Sequence, residues 1–158
     1  MGIAAIGVWW AWAAMGAGPA TLGVEKATGA PGAEAAAAIV LDAGAAPAIT
    51  AVEWVLSAPS GRGIEALPPK VSKPAAAAGK SLTCTGKWKK GGVEYQWTCI
   101  LAGGGGPIPA GEIASAGFRL ARDARPGSHT LSLERVKAVD AGARAVPMRT
   151  VAGRLEVR

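Results

Sequence analysis

The segment at residues 83–101, TCTGKWKKGGVEYQWTCIL, constrains the fold more strongly than any other part of the chain. Its Gly91-Gly92 pair suits a two-residue hairpin turn, because glycine readily adopts the positive φ angles that such turns need. With this turn, Cys84 lies directly opposite Cys99. Directly opposed residues of antiparallel strands have Cα atoms about 4.5–5.5 Å apart, which a disulfide can span. The sequence therefore predicts a β-hairpin that is closed by a Cys84–Cys99 disulfide.

The same register divides the predicted hairpin into two faces, because successive side chains of a strand point to opposite sides. The first face carries both cysteines and three aromatic residues: Trp88, Tyr95 and Trp97. The second face carries polar residues, among them Lys87, Lys89 and Gln96. Because the aromatic residues share their face with the predicted disulfide, we interpret them as core and the second face as exposed. The alternative is that the three rings form a platform on which a sugar stacks, so all six residues are candidates for a binding surface.

Short segments with alternating apolar residues occur along the rest of the chain. The clearest lies at residues 48–57, where Val52, Trp54 and Leu56 fall on one side of a strand, so Trp54 is expected at the centre of the core. Residues 34–42, EAAAAIVLD, are alanine-rich, but they follow a Pro-Gly turn and end in Ile-Val-Leu, which favours a strand over a helix. Further strands are expected at residues 21–25, 112–121, 128–136 and 151–158.

Turn-rich segments separate these strands. Residues 58–79 contain four prolines and are expected to form an irregular connection, with one short strand and an alanine-rich helical turn. Residues 102–111 form a glycine-rich loop, and a polar turn is expected at residues 123–127. This rhythm of short strands and turns predicts an all-β fold, a two-sheet antiparallel β-sandwich.

The N-terminus differs in composition from the rest of the chain. Residues 1–18, MGIAAIGVWWAWAAMGAG, carry no charged side chain and are almost wholly apolar. A cleaved secretory signal peptide has such an apolar stretch, although the segment lacks the usual Lys or Arg at its start. The alternatives are an uncleaved membrane anchor or a segment that packs against a neighbouring subunit. A chain of 158 residues fits one domain, which is expected over residues 20–158.

Composition and motifs give little support for catalysis. His129 is the sole imidazole, and no serine lies in a nucleophile-elbow motif, so a base-activated nucleophile is not indicated. Two cysteines and one distant histidine do not supply four zinc ligands, and no calcium-loop or phosphate-loop pattern occurs. The net charge is +6, but the basic residues are spread along the chain, unlike a nucleic-acid footprint. We therefore expect no enzyme activity, no cofactor or metal, and no nucleic-acid partner.

The order and spacing of the C-terminal strands resemble those of cohesin-like domains. In that family a strand of the form G-E-I-A-x-x-x-F precedes P-G-x-x-x-L-x-L, and the final strand has the form G-x-L-x-V. Here these are residues 111–118, 126–133 and 153–157. Residues 21–57 are similar to the family's opening strands, so the resemblance covers residues 20–158. The resemblance implies a jelly roll of about nine strands on an exported bacterial protein. It also implies that one sheet face binds a dockerin module, although no residue here matches a dockerin-contact motif.

These observations favour a non-enzymatic module, secreted or at the cell surface, that recognises a protein partner through one sheet face. The predicted disulfide agrees with an extracytoplasmic location, because disulfides are rare in the cytosol. Two alternatives stay open. In the first, Trp88, Tyr95 and Trp97 bind a polysaccharide. In the second, the chain is a structural subunit of a surface assembly, held by its apolar N-terminus, and only residues 1–18 would touch a membrane.

Overall fold

Two β-sheets pack face to face around one apolar core. The computed structural model describes residues 19–89 and 91–158, so the segment 1–18, with its expected signal or anchor role, lies outside the described residues. Thirteen strands and one short helix form within this part of the chain. They are β1 (Ala20–Val24), β2 (Ala27–Gly29), β3 (Glu34–Asp42), β4 (Ile49–Pro59), β5 (Ile64–Ala66), β6 (Lys70–Val71), α1 (Lys73–Ala77), β7 (Ser81–Trp88), β8 (Glu94–Ala102), β9 (Gly111–Leu120), β10 (Gly127–Asp140), β11 (Ala145–Val146), β12 (Met148–Val151) and β13 (Gly153–Val157).

The strands form a six-stranded and a seven-stranded sheet. The first has the order β12-β1-β3-β9-β5, with β6 also on β9, and the second has the order β2-β13-β10-β4-β8-β7, with β11 also on β10. Neighbours run antiparallel, except for the parallel pairs β1–β12 and β2–β13. Strands β2, β5, β6 and β11 have two or three residues each, and the other nine are longer. The predicted all-β sandwich is therefore confirmed, with two parallel pairs added to it.

The alanine-rich segment forms strand β3 rather than a helix. Its residues alternate between buried and more exposed positions, and Ala35, Ala37, Ile39 and Leu41 point into the core. Ala35 lies opposite Phe118 of β9. A small side chain beside a large one lets the inner faces of the two sheets interdigitate. Packing thus overrides the helix propensity of the alanines.

Strand β4 forms the centre of the seven-stranded sheet, between β10 and β8. Its inward side chains Val52, Trp54 and Leu56 are each at most 1% exposed, as the alternation predicts. Trp54 is fully buried and lies directly opposite Cys99 on β8. The core of the sandwich is therefore built around this strand.

The connection after β4 contains more regular structure than its prolines suggest. Two short strands, β5 and β6, pair with β9, where one short strand is expected from the sequence. The expected helical turn is α1, whose N-cap Ser72 accepts a hydrogen bond at Oγ from the Ala75 N–H at 3.2 Å. Such a cap satisfies one of the backbone donors that a helix leaves free at its start. Helix α1 has five residues, and none of the described helices is long and apolar enough to cross a bilayer.

A buried lysine fixes the glycine-rich loop against the sheet. Lys80 is 4% exposed, and its ammonium donates hydrogen bonds to the carbonyl oxygens of Thr50 at 2.9 Å and Gly106 at 2.6 Å. Burying a charge without partners is costly, so these two carbonyls stabilise the ammonium. Lys80, which directly precedes β7, thereby links β4 to the loop after β8.

Both ends of the domain cross from one sheet to the other at the same place. β1 and β12 belong to the six-stranded sheet, whereas β2 and β13 belong to the seven-stranded sheet. The crossings meet at Gly153, where an added Cβ would lie 2.8 Å from the Val24 carbonyl carbon and 2.9 Å from the Glu25 carbonyl oxygen. Only glycine permits so close an approach of two backbones. Beside this point, Lys26 hydrogen-bonds to Glu156, and that contact lowers the pKa of the Glu156 carboxyl.

We expect Gly153→Ala to destabilise the domain by about 1–3 kcal/mol, because the methyl group forces the two crossings apart. Urea unfolding followed by tryptophan fluorescence measures the change. Gly117→Ala is the matched control, since its Cβ would meet Leu67 at an ordinary contact distance of 3.5 Å. Equal unfolding midpoints for the two variants would contradict the close approach at Gly153.

Candidate functional site

The β7–β8 hairpin has the register that its sequence predicts. Cys84 pairs with Cys99 and Trp88 pairs with Tyr95. A disulfide joins the two cysteines, whose Cα atoms are 4.1 Å apart. Gly91 and Gly92 both have positive φ, at 105° and 68°. Lys90 lies outside the described residues.

The three aromatic residues of the hairpin differ in burial. Trp97 is 9% exposed and belongs to the core, Tyr95 is half-buried, and Trp88 is 55% exposed. The Trp88 and Tyr95 rings meet edge to face, with an interplanar angle of 87°, and the Tyr95 and Trp97 rings are tilted by 54°. An added Cβ at Gly86 would lie 2.7 Å from the Trp97 ring, so that ring and Tyr95 pack directly on the β7 backbone. From Trp97 through Tyr95 to Trp88, the three rings therefore become progressively more exposed, and they share no common plane.

The polar face of the hairpin also differs from its expected exposure. Lys87 is exposed, but Gln96 is only 6% exposed, and its Nε2 donates to Ser57 Oγ on β4 at 3.3 Å. The expectation of an exposed Gln96 is thus wrong, because β8 lies between β4 and β7 and both neighbours shield it. The Gln96 amide therefore links β8 to β4 and contributes little to the exposed surface.

Lys89 reaches across the same face of the sheet. Its ammonium lies 3.2 Å from the Glu94 carboxylate on β8 and 3.9 Å from the Glu134 carboxylate on β10. All three side chains are at least one-third exposed, so these ion pairs contribute little to the free energy of folding. Their effect is to place a charged bridge over one end of the sheet.

The side of the seven-stranded sheet that points away from the core carries a surface that we name the outer sheet face. It consists of residues directly paired across four strands: Thr83, Thr85 and Lys87 on β7; Glu94, Gln96, Thr98 and Ile100 on β8; Glu53, Val55 and Ser57 on β4; and Ser132, Glu134 and Lys137 on β10. Val55 lies in the middle of this face, opposite Thr98, and is 5% exposed, whereas Ile100, opposite Glu53, is 47% exposed. Charged residues of both signs lie around these apolar and hydroxyl-bearing side chains.

A β-bulge in β10 decides which residues join this face. The pairing with β4 shifts between Glu134 and Lys137, and Arg135 has a positive φ of 49°. Strict alternation would place Val136 beside Glu134 on the outer sheet face. The extra residue turns Lys137 outward instead, directly opposite Glu53. The sequence has no turn residue that would reveal this bulge, and the strand predicted over residues 128–136 ends within it, whereas β10 continues to Asp140.

The described residues offer contact surface more than reactive groups. His129 lies in β10 opposite Leu155 of β13 and is half-buried. Within residues 19–89 and 91–158, no three His, Cys, Asp or Glu side chains lie close enough together to hold a metal ion. Both cysteines are committed to the disulfide.

Solved structures of cohesin modules share this architecture. A non-cellulosomal cohesin from Archaeoglobus fulgidus matches with a TM-score of 0.66 and 15% identity, covering 89% of this chain and 92% of the cohesin. A type I cohesin from a Clostridium thermocellum cohesin–dockerin complex matches with a TM-score of 0.72 and 14% identity, covering 89% of this chain and 100% of that cohesin chain. The cohesin module of a family 33 glycoside hydrolase from Clostridium perfringens matches with a TM-score of 0.65 and 10% identity, covering 90% of this chain and 98% of that module.

These matches confirm the resemblance to cohesin-like domains at the level of fold. No protein-family model and no curated protein sequence matches the chain. At 10–15% identity the likeness concerns the arrangement of strands, and it assigns no contact residue.

We expect Trp97→Ala to destabilise the domain by about 3–5 kcal/mol, because it leaves a large cavity in the core. Trp88→Ala is the matched control and should change stability by less than about 1 kcal/mol, since the Trp88 ring is mostly solvated. Chemical unfolding of both variants gives the comparison. A loss of stability for Trp88→Ala as large as that for Trp97→Ala would contradict this difference in burial.

Proposed function

We propose that residues 20–158 form one cohesin-like domain, a non-enzymatic module that recognises a protein partner of the dockerin type through the outer sheet face. The observation that carries the proposal is Ile100, which is 47% exposed on that face between Thr83 of β7 and Glu53 of β4. Structures with the same fold include cohesins solved in complex with dockerins from Clostridium thermocellum and Acetivibrio cellulolyticus.

The chemistry of the outer sheet face supports a protein partner. Protein interfaces combine a less polar centre with a polar, charged rim. Here Val55 pairs with Thr98 in the middle of the face, and Ile100 follows on β8. Charges of both signs lie around them: Lys137 is opposite Glu53, Glu134 is opposite Val55, and Lys87 is on the edge strand β7. Such a rim contributes more to the choice of partner and to the association rate than to affinity.

The distribution of exposed apolar side chains supports the same region. Among the described residues, the large hydrophobic side chains that are exposed are Trp88, Val93, Ile100 and Val151. Trp88 lies on the face of the hairpin that carries the disulfide, and Val93 lies in the turn between β7 and β8. Ile100 points to the opposite face, so it is the exposed large apolar side chain that belongs to the outer sheet face.

We also propose that the module is exported, to the cell surface or the medium. The disulfide supports this location, because thiols stay reduced in most cytosols. Residues 1–18 would act as the signal peptide. If they are retained, they would anchor the module to a membrane or hold it in a surface assembly as a structural subunit.

Carbohydrate binding by Trp88, Tyr95 and Trp97 is the second candidate function. Its supporting observation is Trp88, which is 55% exposed. The perpendicular Tyr95 ring and the buried Trp97 ring do not continue the Trp88 ring into a platform. A glycan would therefore stack on a single ring, and we rank this function below protein binding.

We expect Ile100→Lys to weaken the binding of a dockerin module more than tenfold, which corresponds to about 1.4 kcal/mol or more. The lysine would face Glu53, so the fold should persist. Isothermal titration against a panel of purified dockerin modules measures the affinity. Val151→Lys is the matched control, because Val151 is similarly exposed, at 54%, on the other sheet.

The same assay separates the two candidate functions. If polysaccharides bind and Trp88→Ala removes that binding while Ile100→Lys leaves it unchanged, the carbohydrate function replaces the proposal. If a dockerin binds equally well to Ile100→Lys and to the wild type, the outer sheet face is not the interface.

We expect protein exported from its native host to contain no free thiol and to begin near Ala17 or Pro19. Intact-mass measurement before and after reduction and alkylation tests the thiols, and N-terminal sequencing tests the cleavage. Retention of residues 1–18 would instead support the surface assembly, and two free thiols would contradict the Cys84–Cys99 disulfide.

A further inference from the structure

A cleft of about 560 Å³ opens at one end of the seven-stranded sheet, where β4 and β10 separate. Their pairing ends at Ser57 and Ser132, although both strands continue. The next position of β4 that shares this face is Pro59, which has no N–H to donate to a neighbouring strand. Pro59 and Thr130 therefore line opposite walls of the cleft.

The separation leaves one edge of β10 without a strand partner. Gly127 to Leu131 pair with β13 on one side, and within the described residues no strand pairs with them on the side of the cleft. An open strand edge presents N–H and C=O groups that can pair with an extended peptide.

The cleft walls carry an excess of basic groups. Arg62, Arg125 and His129 line the cleft, and Glu94 is its acidic residue. The Glu94 carboxylate is already 3.2 Å from the Lys89 ammonium. Within residues 19–89 and 91–158, Arg62 and Arg125 form no ion pair. Two guanidinium groups are thus available for an acidic ligand.

Two turns that pack on each other hold these arginines at the cleft. The carbonyl oxygen of Gly63 accepts a hydrogen bond from the Ala121 N–H at 2.8 Å. An added Cβ at Gly63 would lie 2.9 Å from the Cα of Ala124, so the turns around Arg62 and Arg125 are in direct contact. Arg62 also has a positive φ of 53°, which is unusual for a residue with a side chain.

We propose that this cleft binds an extended acidic peptide, which adds to the open edge of β10 and pairs its carboxylates with Arg62 and Arg125. The size of the cleft suits a short segment of chain or a small ligand. Arginine is well suited to carboxylates, because its planar guanidinium can donate two parallel hydrogen bonds. The residues that line the cleft include no phenyl, phenol or indole ring on which a sugar would stack, which favours a peptide over an acidic glycan. This site goes beyond the proposed function and does not depend on a partner at the outer sheet face.

Titration of the full domain with an N-acetylated hexaglutamate peptide, followed by amide chemical shifts, tests the proposal. The largest shifts are expected at Gly61, Gly127 and His129, and the affinity should fall as ionic strength rises. Arg62→Gly should weaken binding about tenfold without loss of stability, because glycine readily adopts the positive φ found there. Arg125→Gln should weaken binding similarly.

Arg144→Gln is the matched control, since Arg144 is an exposed arginine in the turn between β10 and β11, at the other end of β10. It should bind hexaglutamate as the wild type does. Absence of binding, shifts located away from the cleft, or equal losses in Arg62→Gly and Arg144→Gln would overturn the proposal. If oligogalacturonate binds at the cleft and hexaglutamate does not, the site takes an acidic glycan and the proposal is wrong.

Discussion

The register of β8 between its two neighbours is the constraint on which the rest of the structure depends. Cys99 lies opposite Cys84 on one side, where the disulfide locks the pair, and opposite Trp54 on the other. A slip by one residue would turn Trp97, Cys99 and Leu101 toward solvent and bury the polar residues between them. One register therefore decides both the core and the surface of the sheet.

The outer sheet face follows directly from this constraint. Once Trp97 and Cys99 point inward, Thr98 and Ile100 must point outward, beside Val55 and Glu53 of β4. The core thus positions the surface that we propose for partner binding. The fold shared with cohesin modules at 10–15% identity agrees with this view, because a sandwich depends on alternation and volume more than on particular residues.

Several irregular features of the seven-stranded sheet lie along β10. The bulge at Arg135 turns Lys137 outward, the charged bridge from Lys89 reaches Glu134, and the cleft opens where pairing with β4 ends. β-Bulges and interrupted pairing are common near functional sites, because they redirect side chains or leave backbone groups free. β10 is therefore the strand at which this sandwich combines a regular surface with a local recess.

The sequence by itself determined the elements whose signals are local. Alternation located β4, and the Pro-Gly turn before residues 34–42 and their Ile-Val-Leu end located β3. The glycine pair aligned Cys84 with Cys99, because the two strands of a hairpin are neighbours in the chain. The burial of Gln96 against Ser57, the bulge opposite Glu53 and the cleft between Pro59 and Thr130 were decided by the tertiary structure alone. Each depends on how β4 meets β8 or β10, which are distant in the chain, and a period of two in one strand carries no information about where a distant partner strand begins or ends.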